Sequence, residues 1–120
     1  MKIAISSQGN DLESMVDPRF GRAKCFILVD TETDQYEIIE NTQSLNLPQG
    51  AGVQAAQNVL KYKPHAVLTG NCGPKAYQVL NSGNVDVYIG VEGKIKDVIE
   101  QFKKGKYQKS DRPNVGGHWM

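Results

Sequence analysis

The chain has 120 residues, the usual size of one domain built on one core. Hydrophobic residues make up 39% and charged residues 22%, a balance that excludes a disordered chain. Fourteen basic residues against thirteen acidic ones leave a formal charge of +1, which argues against gripping nucleic acid or anionic membrane through bulk charge. Residues 2–6 (Lys-Ile-Ala-Ile-Ser) read as a first strand rather than as the apolar core of a signal peptide. A polar loop follows, marked by Gly9, Asn10 and Pro18. Residues 23–29 form a second apolar run, and Thr31-Glu32-Thr33-Asp34 turns it back into a hairpin partner at residues 36–40. After a loop through Pro48 and Gly50, the apolar positions Val53, Ala56, Val59 and Leu60 fall at helical spacing, and Pro64 ends that helix.

The second half alternates regularly. Residues 66–69 predict a buried strand, and Pro74 suits the first turn of a helix whose inner face is Ala76, Tyr77, Val79 and Leu80. Asn81-Ser82-Gly83-Asn84 closes it. Residues 85–89 predict a last strand, and the helix after Gly93 carries Ile95, Val98, Ile99 and Phe102 before Gly105 stops it. The expected order is β-β-β-α-β-α-β-α, a mixed sheet covered by helices. Residues 107–120 are polar and are expected to form a flexible tail behind a domain of residues 1–106. No apolar run approaches the roughly 20 residues that span a bilayer, so no membrane partner is expected and a cytoplasmic location is.

The glycines gather at strand ends. Gly9 follows the first strand, Gly70 and Gly73 the fourth, and Gly90 and Gly93 the fifth. Parallel strands would bring these loops to one sheet edge, where open α/β sheets bind their ligands; tight turns alone would select the same residues. Gly50-Ala51-Gly52-Val53-Gln54-Ala55 fits a relaxed dinucleotide pattern, yet it follows a loop and lacks the acid expected about 20 residues later. A glycine-led helix start can still hold an anion through its free N–H groups. The two cysteines form no CxxC pair, so neither a disulfide framework nor a complete zinc site follows from them. Cys72 stands between a strand end and a helix start, where the helix dipole favours a thiolate able to bind metal; the competing reading is a small core cysteine. Cys25 is placed mid-strand, in the core. His118 lies in the tail, as a possible metal ligand or a dangling side chain. No G-x-S-x-G motif is present, and no histidine is placed to serve Cys72 as a base.

Several of these residues also spell a pattern. Phe20-Gly21-Arg22-Ala23, Asn41, Gly50-Ala51-Gly52, Gly70-Asn71-Cys72-Gly73-Pro74-Lys75-Ala76 and Phe102-Lys103-Lys104-Gly105 follow one another. In this the chain resembles the dinitrogenase iron–molybdenum cofactor biosynthesis family, which includes NifX and the C-terminal domain of NifB, over residues 1–106. The resemblance implies a ribonuclease H-like α/β fold, a five-stranded mixed sheet with its second strand antiparallel, flanked by helices. It implies a non-catalytic carrier of an iron–sulfur cluster or iron–molybdenum cofactor precursor, with a delivery partner protein. The cargo-binding residues would be Arg19, Phe20, Gly21, Arg22, Gly50, Gly52, Gly70, Asn71 and Gly73, with Cys72 and His118 as metal ligands. Arg19 stands where nitrogenase-associated members often carry a histidine, which removes one candidate ligand. The alternative is a module that binds a small anionic metabolite or a partner protein through backbone N–H groups, Arg19 and Arg22.

Overall fold

The computed structural model describes residues 1–43 and 50–113. Its elements run β1 (Lys2–Ser7), β2 (Cys25–Asp30), β3 (Tyr36–Glu40), α1 (Ala51–Leu60), β4 (Ala66–Leu68), α2 (Pro74–Ser82), β5 (Asp86–Tyr88) and α3 (Ile95–Lys103). The five strands form one sheet in the order β3-β2-β1-β4-β5. β2 is antiparallel to both neighbours, with Ile5 opposite Ile27 and Ile27 opposite Ile38, while β1, β4 and β5 are parallel. The expected mixed sheet and its one reversed strand are both present.

Alternation along the strands divides the core between two faces. Ala4, Phe26, Leu28, Ile39 and Val67 point to one side, where Ala55, Ala56 and Val59 of α1 and Ala76 and Leu80 of α2 cover them. Ile3, Ile5, Ile27, Val29 and Leu68 point to the other, against Ile95, Val98 and Ile99 of α3. Fully buried strands of this kind need no polar face, which is why β1 and β2 read as nearly unbroken apolar runs. The helix spacing i, i+3, i+4 in α3 places its three buried residues on one stripe, and Lys103 in the last turn suits the dipole. Among the described residues, no helix is long and apolar enough to cross a membrane.

Two expectations need correcting. β2 begins at Cys25, two residues later than the apolar run, because the Ala23 carbonyl is taken by the Asn41 side chain at 2.8 Å. Cys25 therefore opens the strand instead of sitting in its middle. The segment after residue 106 makes several contacts at its start. Ser110 N–H donates to the Val87 carbonyl at 2.7 Å, Tyr77 Oη donates to the Ser110 carbonyl at 3.1 Å, and Tyr107 packs against the α3-side core. These contacts lay residues 107–110 along the open edge of β5, which a periodicity argument could not detect. Residues 114–120, with His118, lie outside the described residues.

This strap is testable. Tyr77→Phe, which removes one partly buried hydrogen bond, should cost about 1 kcal/mol in denaturant unfolding. Hydrogen exchange should show the Ser110 amide protected in the wild type and faster in the variant.

Candidate functional site

The parallel pairing of β1 with β4, beside the antiparallel pairing of β1 with β2, makes β1 the point where connections diverge to opposite sides. Two buried hydroxyls mark it. Ser6 Oγ donates to the Asp17 carbonyl at 2.7 Å and is hydrogen-bonded to Thr69 Oγ1 at 2.8 Å, so the ends of β1 and β4 hold the loop that leaves β1.

That loop is stitched to the end of β4 residue by residue. Arg19 and Asn71 form a parallel bridge, Phe20 N–H donates to the Asn71 carbonyl at 3.1 Å, and Asn71 Nδ2 donates to the Pro18 carbonyl at 3.0 Å. A Cβ on Gly70 would lie 2.8 Å from Pro18 Cα, so only glycine permits this approach. One residue further along, Gly21 meets α1. A Cβ there would stand 2.8 Å from both Cα and N of Gly52. Consecutive Cα atoms are roughly 3.8 Å apart, so Phe20 and Gly21 bring the starts of α1 and α2 to one short stretch of loop. Phe20 anchors it, 1% exposed, its ring 5.1 Å from that of Phe26. Arg19 and Arg22 are exposed. The expected convergence of the Phe-Gly-Arg loop with the Gly50–Gly52 and Gly70–Gly73 segments is thus present, with its aromatic inward and its arginines outward.

Both helices here begin at a glycine N-cap, Gly50 and Gly73, and neither cap makes a side-chain hydrogen bond. Pro74 occupies the first turn of α2, where its missing N–H costs nothing. Two helix starts leave donors and partial positive charge on the same side as the two arginines. The arrangement can receive an anion.

Cys72 corrects the sequence argument. It is 1% exposed and packs in the α1/α2-side core, and burial pushes its thiol up to about 12. Desolvation of the thiolate outweighs the dipole of α2, so the expected lowered pKa is reversed. Cys25 is also shielded, with its thiol donating toward the Gly9 carbonyl at 3.2 Å, and burial raises it as well, partly opposed by Lys24. It stands, however, on the wall of a recess of about 250 Å³ that includes Asn10, Lys24 and Asn41. Among the described residues, no three or more His, Cys, Asp or Glu side chains are grouped to hold a metal ion.

Three residues assigned no role from sequence help to build the site. Asn41 Nδ2 donates to the Gly21 and Ala23 carbonyls at 3.2 and 2.8 Å, and its Oδ1 accepts from Asn58 Nδ2 at 3.1 Å. Asn58, from α1, also donates to the Thr42 carbonyl at 2.8 Å. Asn41 carried a signal, as part of the quoted pattern, but one amide among loop residues does not announce which carbonyls it will bind. Asp17 is the third such residue, 6% exposed, its Oδ1 accepting the Arg19 N–H at 3.0 Å.

Comparison with known proteins agrees in size and shape. The family described as dinitrogenase iron-molybdenum cofactor matches residues 1–105. An uncharacterized protein of Methanocaldococcus jannaschii is 36% identical over 112 residues, spanning 91% of each chain. The apo form of the orange protein from Desulfovibrio gigas is 37% identical, with a TM-score of 0.89 over 95% of this chain and 96% of that one. The NMR structure of a candidate NifB protein from Thermotoga is 32% identical, with a TM-score of 0.76 over 90% and 91% of the two chains.

Two measurements check the site's construction. Gly21→Ala forces a Cβ onto the Gly52 backbone and should destabilise the protein by about 1–3 kcal/mol in urea unfolding. Because the native Cys72 thiol holds its proton up to about pH 12 while an unfolded thiol loses it from about pH 9, stability conferred by this group is full below pH 9 and declines above it. Unfolding midpoints should therefore fall more steeply between pH 8 and 10.5 in wild type than in Cys72→Ala, and iodoacetamide should label Cys25 before Cys72 in the native protein.

Proposed function

The chain belongs to the dinitrogenase iron–molybdenum cofactor family, and from that premise we propose that it is a non-catalytic carrier of an anionic metal–sulfur cluster or cofactor precursor. The observation that carries the reading is the meeting of two glycine-capped helix starts with Arg19 and Arg22 around the Phe20 anchor. The sheet order, with only its second strand reversed, supports a ribonuclease H-like scaffold for this role. The description of one structural neighbour as an apo form supports a bound state in that protein.

The donor chemistry decides what kind of cargo fits. A bare iron ion needs several protein thiolate, imidazole or carboxylate ligands, and the described residues group no three His, Cys, Asp or Glu side chains to supply them. Cys72 is 1% exposed and packed in the α1/α2-side core, which keeps its thiol away from a cargo held at the loops. A cluster that arrives with its own sulfides presents negative charge and hydrogen-bond acceptors instead. Backbone N–H groups at Gly52 and Gly73 and the two guanidinium groups match those acceptors. The geometry thus favours holding a finished or half-finished cluster over assembling one on protein ligands.

Anaerobic titration with tetrathiomolybdate, and separately with ferrous iron plus sulfide, tests this by absorption and by metal analysis after desalting. Stoichiometric retention is expected, with Arg22→Ala weakening binding about tenfold, the loss of one charge-assisted contact. Cys72→Ala should retain the cargo. Failure of the wild type to retain either species overturns the carrier reading, and stabilisation by phosphate compounds alone would assign the loops to a small anionic metabolite.

A further inference from the structure

The two edges of the sheet are treated differently. β5 is overlaid by the chain's own residues 107–110. β3 stands at the other edge, and among the described residues no third element bonds to its outer side. We propose that two copies of this chain pair through β3, strand against antiparallel strand, about a two-fold axis at Ile38.

The hydrogen-bond phase supplies the first argument. Asp30 N–H donates to the Gln35 carbonyl at 2.9 Å, so alternate residues Glu37 and Ile39 also turn their backbone groups toward β2. Tyr36, Ile38 and Glu40 turn theirs outward. Three evenly spaced residues with outward N–H and C=O groups form a self-complementary edge, and Ile38 is its centre. β3 contains neither proline nor lysine nor a bulge, and its two glutamates are its only charged side chains.

The side chains select the register. With Ile38 opposite its own copy, Tyr36 stands opposite Glu40 and Glu37 opposite Ile39. No carboxylate stands directly opposite another across the strand pair. Tyr36, 43% exposed, would cover the stem of the opposing Glu40 and half-buried Ile38 would meet its symmetry mate. Ile39 and Lys61 line one groove of about 500 Å³ that runs beside β3, together with Ile38 and Glu40 at the strand edge. The opposing Glu37 enters that groove in this register, because it stands across from Ile39. Each copy would then offer one ammonium to one carboxylate of the other, so the two-fold axis generates the contact twice. A second copy of this chain satisfies the backbone phase, the apolar centre and the charge pattern together.

Sedimentation equilibrium from micromolar to near-millimolar protein tests the proposal. A monomer–dimer equilibrium is expected that weakens as salt is raised. Glu37→Lys and Lys61→Glu should each weaken the dimer about tenfold, since two symmetric attractions become repulsions, and the double variant should restore it. Both positions are exposed, so these variants should fold. Ile38→Pro removes an outward N–H without touching the β2 ladder and should abolish pairing. A wild type that stays monomeric throughout, or a dimer indifferent to the charge swap, would overturn it.

Discussion

The structure depends on β1 pairing in parallel with β4 on one side and antiparallel with β2 on the other. This pairing sends the hairpin to one half of the sheet and the two helix-linked strands to the other. The loop leaving β1 must then cross the end of β4, and Ser6, Thr69 and Asp17 hold it there. Everything at the candidate site follows from that crossing. Gly70 and Gly21 are glycines because backbones touch at those points, and Phe20 is buried because the crossing leads it over the α1/α2-side core.

A second lesson concerns which electrostatic effect wins. The start of α2 lies next to Cys72, and a dipole acting on an exposed thiol would lower its pKa. The thiol instead lies inside the core, where desolvation raises its pKa. A helix terminus supplies about 0.3–1 kcal/mol at an exposed group, whereas a shift to about 12 reflects a desolvation several times larger. The positive character of the site therefore resides in backbone donors and guanidinium groups. Under the proposed carrier role that character suits a charged cargo that brings its own ligands, and the cysteine is a packing residue beneath them.

The treatment of the sheet edges fits the same economy of surface. The chain lays its own polar segment over β5, a strand of only three residues that could not guard itself. At β3 the neighbouring Asn41–Asn58 contacts bind the strand's exit to α1 and leave its outer row in place. The hairpin is thereby fixed on the side that supports the site and, among the described residues, open on the other.

By itself, the sequence determined the elements and their order, since buried strands, a 3.6-residue apolar stripe and Gly or Pro boundaries are local signals. It also determined that glycine loops, two arginines and a phenylalanine share one edge, because parallel strands joined by helices permit no other arrangement. Burial was decided only in three dimensions. Cys25 opens β2 because Asn41, 16 residues away in the chain, claims the Ala23 carbonyl before the strand can start. Cys72 is a core residue because two helices close over it, and residues 107–110 lie against β5 because it offers an edge and Tyr77 a hydroxyl. Each outcome turns on a partner distant in sequence, and local pattern carries no record of which distant group a donor, thiol or strand edge will meet.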